Sequence, residues 1–191
     1  MKRPGIGSAG RSSPRFLKSL ARELTSPKTR SLTEPLAQWA ERRIILEGRR
    51  FSFEDHAYLR GLYDDTSPHV VLMKGTQVGG SVWAMLRSIH ACLNGLNVMY
   101  FFPTWGGVTD FSKSRVGPLL ADNPFLSKMM TDTDAVGLKR IADAFLYLRG
   151  MKSPIGLKSV PADMIVFDEL DEATPEAKTK ARERLAHSNY K

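Results

Sequence analysis

Eight residues, Lys74-Gly75-Thr76-Gln77-Val78-Gly79-Gly80-Ser81, restrict what this chain can fold into more than any other stretch. An apolar run, Val70-Val71-Leu72-Met73, precedes them, and an apolar-periodic stretch over residues 82–93 follows. Strand, glycine-rich turn and helix in that order is the context a phosphate-cradling loop requires, because the turn aims backbone N–H groups and a helix N-terminus at one point. The usual pattern is G-x-x-x-x-G-K-[ST]. With Ser81 aligned to its last position, Gly80 stands where the lysine belongs and Lys74 stands where the first glycine belongs. A loop that curls around phosphates brings its ends together, so a lysine at the strand end can reach the same oxygens. The same eight residues also suit a tight Gly-Gly turn beside a surface lysine, and the rest of the chain has to decide.

At 191 residues the chain suits one domain with a real core. Its 42% hydrophobic and 25% charged residues are ordinary for a soluble globular protein. No apolar run approaches the roughly 20 residues that span a membrane, and the basic N-terminus lacks the apolar core of a secretory signal. The single cysteine, Cys92, excludes an internal disulfide and a cysteine-based metal cluster. It falls on the expected core face of a helix, as a small hydrophobe. A reducing, cytoplasmic setting fits. The net charge of +8 is concentrated: residues 1–30 carry eight Lys and Arg against Glu23 alone, which leaves the remainder near +1. Residues 1–32 read as a basic, disordered tail, able to contact nucleic-acid phosphate or simply to remain solvated.

Residues 33–191 read as alternating helices and strands. The spacing predicts a helix from a cap at Thr33 to Gly48, and an extended piece at Arg49-Arg50-Phe51-Ser52-Phe53. A second helix is expected from Ser52 to Tyr63, a strand at 70–73, a helix at 82–93 and a buried strand at 97–102. A helix over 108–120 should follow, then an ambiguous 124–144, a strand at 145–148, a loop at 150–163, a strand at 164–167 and a helix from Pro175 to Ala186. That alternation predicts an α/β fold with a parallel sheet and helices on both faces.

The strand Met164-Ile165-Val166-Phe167 runs into Asp168-Glu169. An aspartate at such a tip can hold Mg²⁺, and an adjacent glutamate can polarise an attacking water. Ser81 would give its hydroxyl to the same ion. Asp168 follows Ser81 by 87 residues, enough for intervening strands, and both would sit at carboxyl ends of parallel strands, where α/β sheets bind ligands. Asp171 and Glu172 are expected instead as helix-start charges.

Four stretches now resemble the ATPase domain of the large terminase subunit of tailed phages, the DNA-packaging motor. They are Phe51-Ser52-Phe53-Glu54-Asp55-His56-Ala57-Tyr58-Leu59-Arg60, the loop from Lys74 to Ser81, Phe102-Pro103-Thr104-Trp105 with Asp110-Phe111-Ser112-Lys113-Ser114-Arg115, and Ser153-Pro154-Ile155-Gly156-Leu157-Lys158-Ser159 leading to Asp168-Glu169. The similarity covers roughly residues 35–175. It implies a three-layer α/β/α P-loop NTPase with a mainly parallel central sheet, deviant Walker A and Walker B motifs, and ATP with Mg²⁺ as cofactors. It implies that Lys74 binds the β/γ-phosphates, with Gly75, Thr76, Gln77, Val78, Gly79, Gly80 and Ser81 around them. Ser81 and Asp168 become metal positions, Glu169 the catalytic carboxylate, and Phe51 or His56 the lining of an adenine pocket. Lys158 stands where some members place an arginine reaching a neighbouring subunit. A lysine lacks that bidentate fork. Arg115 reads as a DNA contact or a helix-face charge.

The implied partners are double-stranded DNA, a small terminase subunit, a portal protein and further copies in a ring, with no membrane, in the cytoplasm of an infected or prophage-carrying bacterium. The family's later strands and its nuclease domain have no counterpart here, so the reading is a partial motor domain truncated before its final strands. Two other readings stay open: a helicase-like DNA-translocating ATPase with the same core, and a non-catalytic nucleic-acid-binding remnant acting through its basic tail.

Overall fold

The computed structural model describes residues 34–152, 160–172 and 174–185. The basic tail, the Thr33 cap and Lys158 lie outside them.

Helix α1 spans Leu36–Arg43 and buries Leu36, Ala37, Trp39 and Ala40. It ends before Gly48, where the helix was expected to run, because Glu47 (φ 52°) and Gly48 (φ 74°) take left-handed conformations. Two such residues in succession make the tight turn that right-twisted strands accept. They join β1 (Ile45–Leu46) to β2 (Arg49–Arg50) in a short antiparallel hairpin. The buried Asn123 clamps that hairpin, accepting from Ile45 N at 2.8 Å and donating to Ile45 O at 2.7 Å. The second expected helix is shorter too: a 3-10 turn at Ala57–Leu59 leads into α2 (Arg60–Asp64).

Helix α3 (Gly80–Leu93) buries Met85, Leu86, Ile89 and Cys92, and Gly95 (φ 81°) turns the chain after it. Strand β3 (Val98–Phe102) is buried at every position. Helix α4 (Trp105–Phe111) starts three residues earlier than its apolar pattern, because Thr104 caps it by accepting from Gly107 N at 3.2 Å. It continues through a π-helical turn, Ser112–Val116, into α5 (Gly117–Asp122). The ambiguous stretch resolves into α6 (Pro124–Met129), β4 (Met130–Ala135) and β5 (Leu138–Ile141). Strands β6 (Ala144–Gly150) and β7 (Met164–Phe167) follow, then α7 (Pro175–Arg182).

The five-stranded sheet has the order β4-β5-β6-β3-β7. Strand β3 pairs in parallel with both β6 and β7, and β5 pairs antiparallel with both β4 and β6. The result is an α/β layered fold with a parallel centre, as expected, and an antiparallel margin that was not. Alternate residues of β3 feed two cores. Val98, Tyr100 and Phe102 enter the larger one with α1 and α3, whereas Met99 and Phe101 meet Ala181 of α7 on the opposite face.

One expected element does not form. Residues 70–73 form no strand, and Val71 and Met73 are 89% and 98% exposed. An apolar run supplies side chains for a strand, not the neighbour whose N–H and C=O groups make the ladder. Among the described residues no strand pairs with this segment.

Candidate functional site

The loop at 74–81 depends on two glycines for different reasons. Gly79 has φ 78°, and a Cβ there would lie 2.8 Å from Leu59 Cδ1. Both facts exclude a side chain. At Gly80 the backbone is ordinary, but a Cβ would meet Lys74 Cδ at 2.6 Å and Leu72 Cδ2 at 3.0 Å. The lysine stem thus lies across position 80. The exchange of lysine and glycine seen in the sequence is one packing arrangement: the side chain that starts at 74 crosses the bare backbone at 80. Its Nζ ends 3.1 Å from Ser81 Oγ. Gln77 has φ 58°, a left-handed conformation held by a non-glycine residue. Tyr58 Oη reaches the Val78 carbonyl at 3.4 Å and ties the preceding segment to the loop.

The acidic end is positioned by sheet register instead. Met99, Tyr100 and Phe101 of β3 pair with Ile165, Val166 and Phe167 of β7, and Asp168 N donates to Phe101 O at 3.0 Å. That register brings Asp168 Oδ1 to 3.5 Å from Lys74 Nζ. Tyr100 Oη donates to Asp168 Oδ2 at 2.9 Å. Burial, then the nearby Asp168 charge, pushes the Tyr100 phenol far above its ordinary range, so it stays a donor. Glu169 is exposed, and its φ of 56° turns the chain sharply out of the strand. Asp171 and Glu172 lie beyond it in a 3-10 turn, Leu170–Glu172.

Both halves open into a cavity of about 800 Å³, a size suited to a nucleotide-scale ligand. Lys74, Gly75, Gln77, Val78, Gly79, Gly80 and Ser81 border it, as do Asp168 and Glu169, whereas Thr76 does not. Phe51 and His56 also border it. Phe51 is one member of an aromatic wall, 5.1 Å from Phe53 and 5.3 Å from Tyr63 between ring centroids. Arg50, Leu59 and Arg115 were not expected at this cavity but border it too; Arg115 pairs with Glu47 at 3.3 Å. Their signal was present but ambiguous, since a surface arginine and a core leucine look the same in sequence wherever they point. Cys92 is buried away from the site, its thiol pushed up to about 12 by burial.

The donor set suits a hard divalent cation of the magnesium type. Ser81 Oγ and Asp168 Oδ1 are both oxygens within reach of one cationic point, now taken by Lys74 Nζ. Among the described residues no group of three or more His, Cys, Asp or Glu could cage a metal. Magnesium rarely needs one, since it keeps waters and takes one or two protein oxygens beside substrate phosphates. No helix among the described residues is long and apolar enough to cross a membrane.

A family model described as the ATPase domain of the phage terminase large subunit gpA matches residues 50–186. No curated protein and no solved structure matches the chain.

Proposed function

The chain belongs to the family of phage terminase large subunits of the gpA type through its ATPase domain, and we propose on that premise that it binds and hydrolyses ATP to drive double-stranded DNA into a viral capsid. The observation that carries the chemistry is the meeting of Lys74 Nζ with Ser81 Oγ and Asp168 Oδ1, at 3.1 and 3.5 Å, in a cavity that Glu169 also borders.

Lys74 exchanges its two protein partners for the β/γ-phosphate oxygens when nucleotide enters. The first N–H groups of α3, whose Gly80 and Ser81 border the cavity, lack intrahelical acceptors and would donate to the same phosphates. Ser81 Oγ and Asp168 Oδ1, freed of the lysine, would hold Mg²⁺, which would supply charge neutralisation for the phosphates. Glu169 orients a water on the γ-phosphorus and takes its proton as the new P–O bond forms; the bond to the β-phosphate oxygen breaks, leaving ADP and phosphate. Phe51 and His56 border the base. DNA, a small terminase subunit, a portal and further copies of the chain in a ring are the partners this activity needs, in the cytoplasm of the bacterial host.

The test is a thermal melt with and without Mg²⁺ and ATP. Ligand that binds only the folded state raises the midpoint, and the proposal expects that rise in the native protein and its loss in Lys74→Ala. A native protein whose melt ignores MgATP, and whose DNA binding vanishes with residues 1–30, would overturn it in favour of a non-catalytic nucleic-acid binder.

A further inference from the structure

Asp168 has two carboxylate oxygens, and they face different partners. Oδ1 looks towards Lys74 Nζ at 3.5 Å, on the cavity side. Oδ2 accepts from Tyr100 Oη at 2.9 Å, on the core side. Tyr100 is fully buried and does not border the cavity.

Its reach follows from strand register. Tyr100 pairs with Val166, and Asp168 follows two residues later, just past the end of β7, where its N–H still bonds Phe101 O, so it keeps the same face. The length of the tyrosine side chain covers the remaining offset, so that its hydroxyl ends 2.9 Å from Asp168 Oδ2. The ring itself cannot swing. It stacks on Phe102 at 4.9 Å with 15° between planes, and it meets Phe111 at 5.1 Å. The hydroxyl is therefore delivered to one point, at the C-terminal end of the sheet.

We infer that Tyr100 is a positioning residue: by holding Oδ2 it turns the other oxygen of Asp168 into the cavity, so that the carboxylate meets Mg²⁺ through Oδ1 alone. This rests on the nucleotide-site reading above. Without the hydroxyl, the Asp168 side chain is free to rotate and to offer both oxygens to Lys74. That closes the ion pair more tightly and makes Mg²⁺ compete with the ammonium for the carboxylate. A merely structural role, satisfying a buried phenol, would affect folding and leave the metal untouched.

Tyr100→Phe separates the two, because it keeps the ring, the stack and the volume. The measurement is binding of a fluorescent, non-hydrolysable ATP analogue titrated with Mg²⁺, repeated in EDTA, with a thermal melt of each protein. Groups that orient a metal ligand are worth 10- to 100-fold in metal affinity. Tyr100→Phe is expected to raise the Mg²⁺ concentration at half-saturation roughly ten-fold while leaving EDTA binding unchanged. Asp168→Asn supplies a second arm. If Tyr100 acts through Asp168, adding Tyr100→Phe to Asp168→Asn changes the Mg²⁺ dependence no further. An unchanged Mg²⁺ half-saturation in Tyr100→Phe, equal weakening with and without Mg²⁺, or additive losses in the double variant would overturn the inference and leave the nucleotide site standing. A native protein that binds no analogue under any condition defeats the nucleotide site itself, and this role with it.

Discussion

The two halves of the site are held in opposite ways. Asp168 leaves a strand whose register with β3 is set by a parallel ladder and by Phe167 stacked 5.4 Å from Phe101. Lys74 leaves a segment that pairs with no strand among the described residues and whose Val71 and Met73 side chains are exposed. One half is fixed by backbone hydrogen bonds. The other is fixed by side chains packed on glycines: Leu59 over Gly79, and the Lys74 stem over Gly80. The carboxylates therefore sit on a stiff platform, and the lysine sits on a pliable one. That difference suits the proposed exchange, in which the cation leaves Ser81 and Asp168 for phosphate while the carboxylates stay where they are.

The largest test of this division is catalytic. Lys74→Ala removes the group proposed to bind phosphate, so it should abolish both binding of the ATP analogue and turnover. Glu169→Gln should leave binding near native and reduce turnover by about 10²-fold or more, the worth of a positioned general base. A steady-state ATPase assay beside equilibrium binding checks the pair. Normal turnover in both variants would remove the functional meaning of the comparison.

Next comes the loop's own scaffold. Gly79→Ala forces a Cβ into a left-handed conformation and against Leu59, so it should cost roughly 2 kcal/mol in a denaturant titration. Gly80→Ala meets a flexible lysine stem instead, so its stability cost should be smaller. Its effect should appear in nucleotide affinity, because the stem it displaces carries the ammonium. If the two alanines behaved alike, packing of Lys74 over position 80 would not be what shapes the loop.

How much of this could be read in the sequence follows the same division. Strand β7 and its Asp168-Glu169 tip were legible because a parallel strand, here half-buried, writes itself as a continuous apolar run. Residues 70–73 write themselves the same way and form no strand, since pairing depends on a neighbour that a local pattern does not reveal. Strand β4 escaped for the converse reason: Met130-Thr131-Asp132-Thr133-Asp134-Ala135 lacks apolar alternation and lies at the sheet edge. The β1–β2 hairpin was hidden by Glu47, which holds a φ that glycine usually supplies. Lys74 was legible as a displaced lysine. Why position 80 must be glycine was not, because the atom that fills the space belongs to another residue. Tyr100 escaped because an aromatic in a buried strand reads as core until its hydroxyl has a partner. Lys158 falls outside the described residues.

A smaller effect concerns the helix that carries the loop. At its far end His90 Nε2 lies 2.9 Å from Glu34 O, with its ring 5.2 Å from Trp39. Burial, the largest influence, holds the imidazole pKa below its ordinary 6.5. The unfolded chain then binds more protons than the folded one once pH falls below 6.5. The contribution of neutral His90 is complete above that pH and is lost as pH falls through the folded value. Urea midpoints at pH ~7.5 and ~5.5 should therefore differ more in the native protein than in His90→Gln, which can still donate to Glu34 O and has no proton to gain. Equal differences would show that α3 is not anchored by a neutral imidazole.

The smallest expected effect is the most direct test of the two platforms. Ile165 lies half-buried in β7 against the Met99 and Phe101 core, so Ile165→Ala should cost about 1 kcal/mol. Met73 is apolar too, one residue before the lysine, yet almost wholly exposed. Met73→Ser should change stability by less than about 0.5 kcal/mol, as exposed substitutions do, and should leave analogue binding unchanged. The two residues look alike in sequence, each an apolar residue in an apolar run that ends at a site residue, and only the ladder distinguishes them. A loss above about 1 kcal/mol for Met73→Ser exceeds the exposed-site range. It would mean that the segment before the loop is packed in solution, and that the lysine stands on a platform as stiff as the one beneath Asp168.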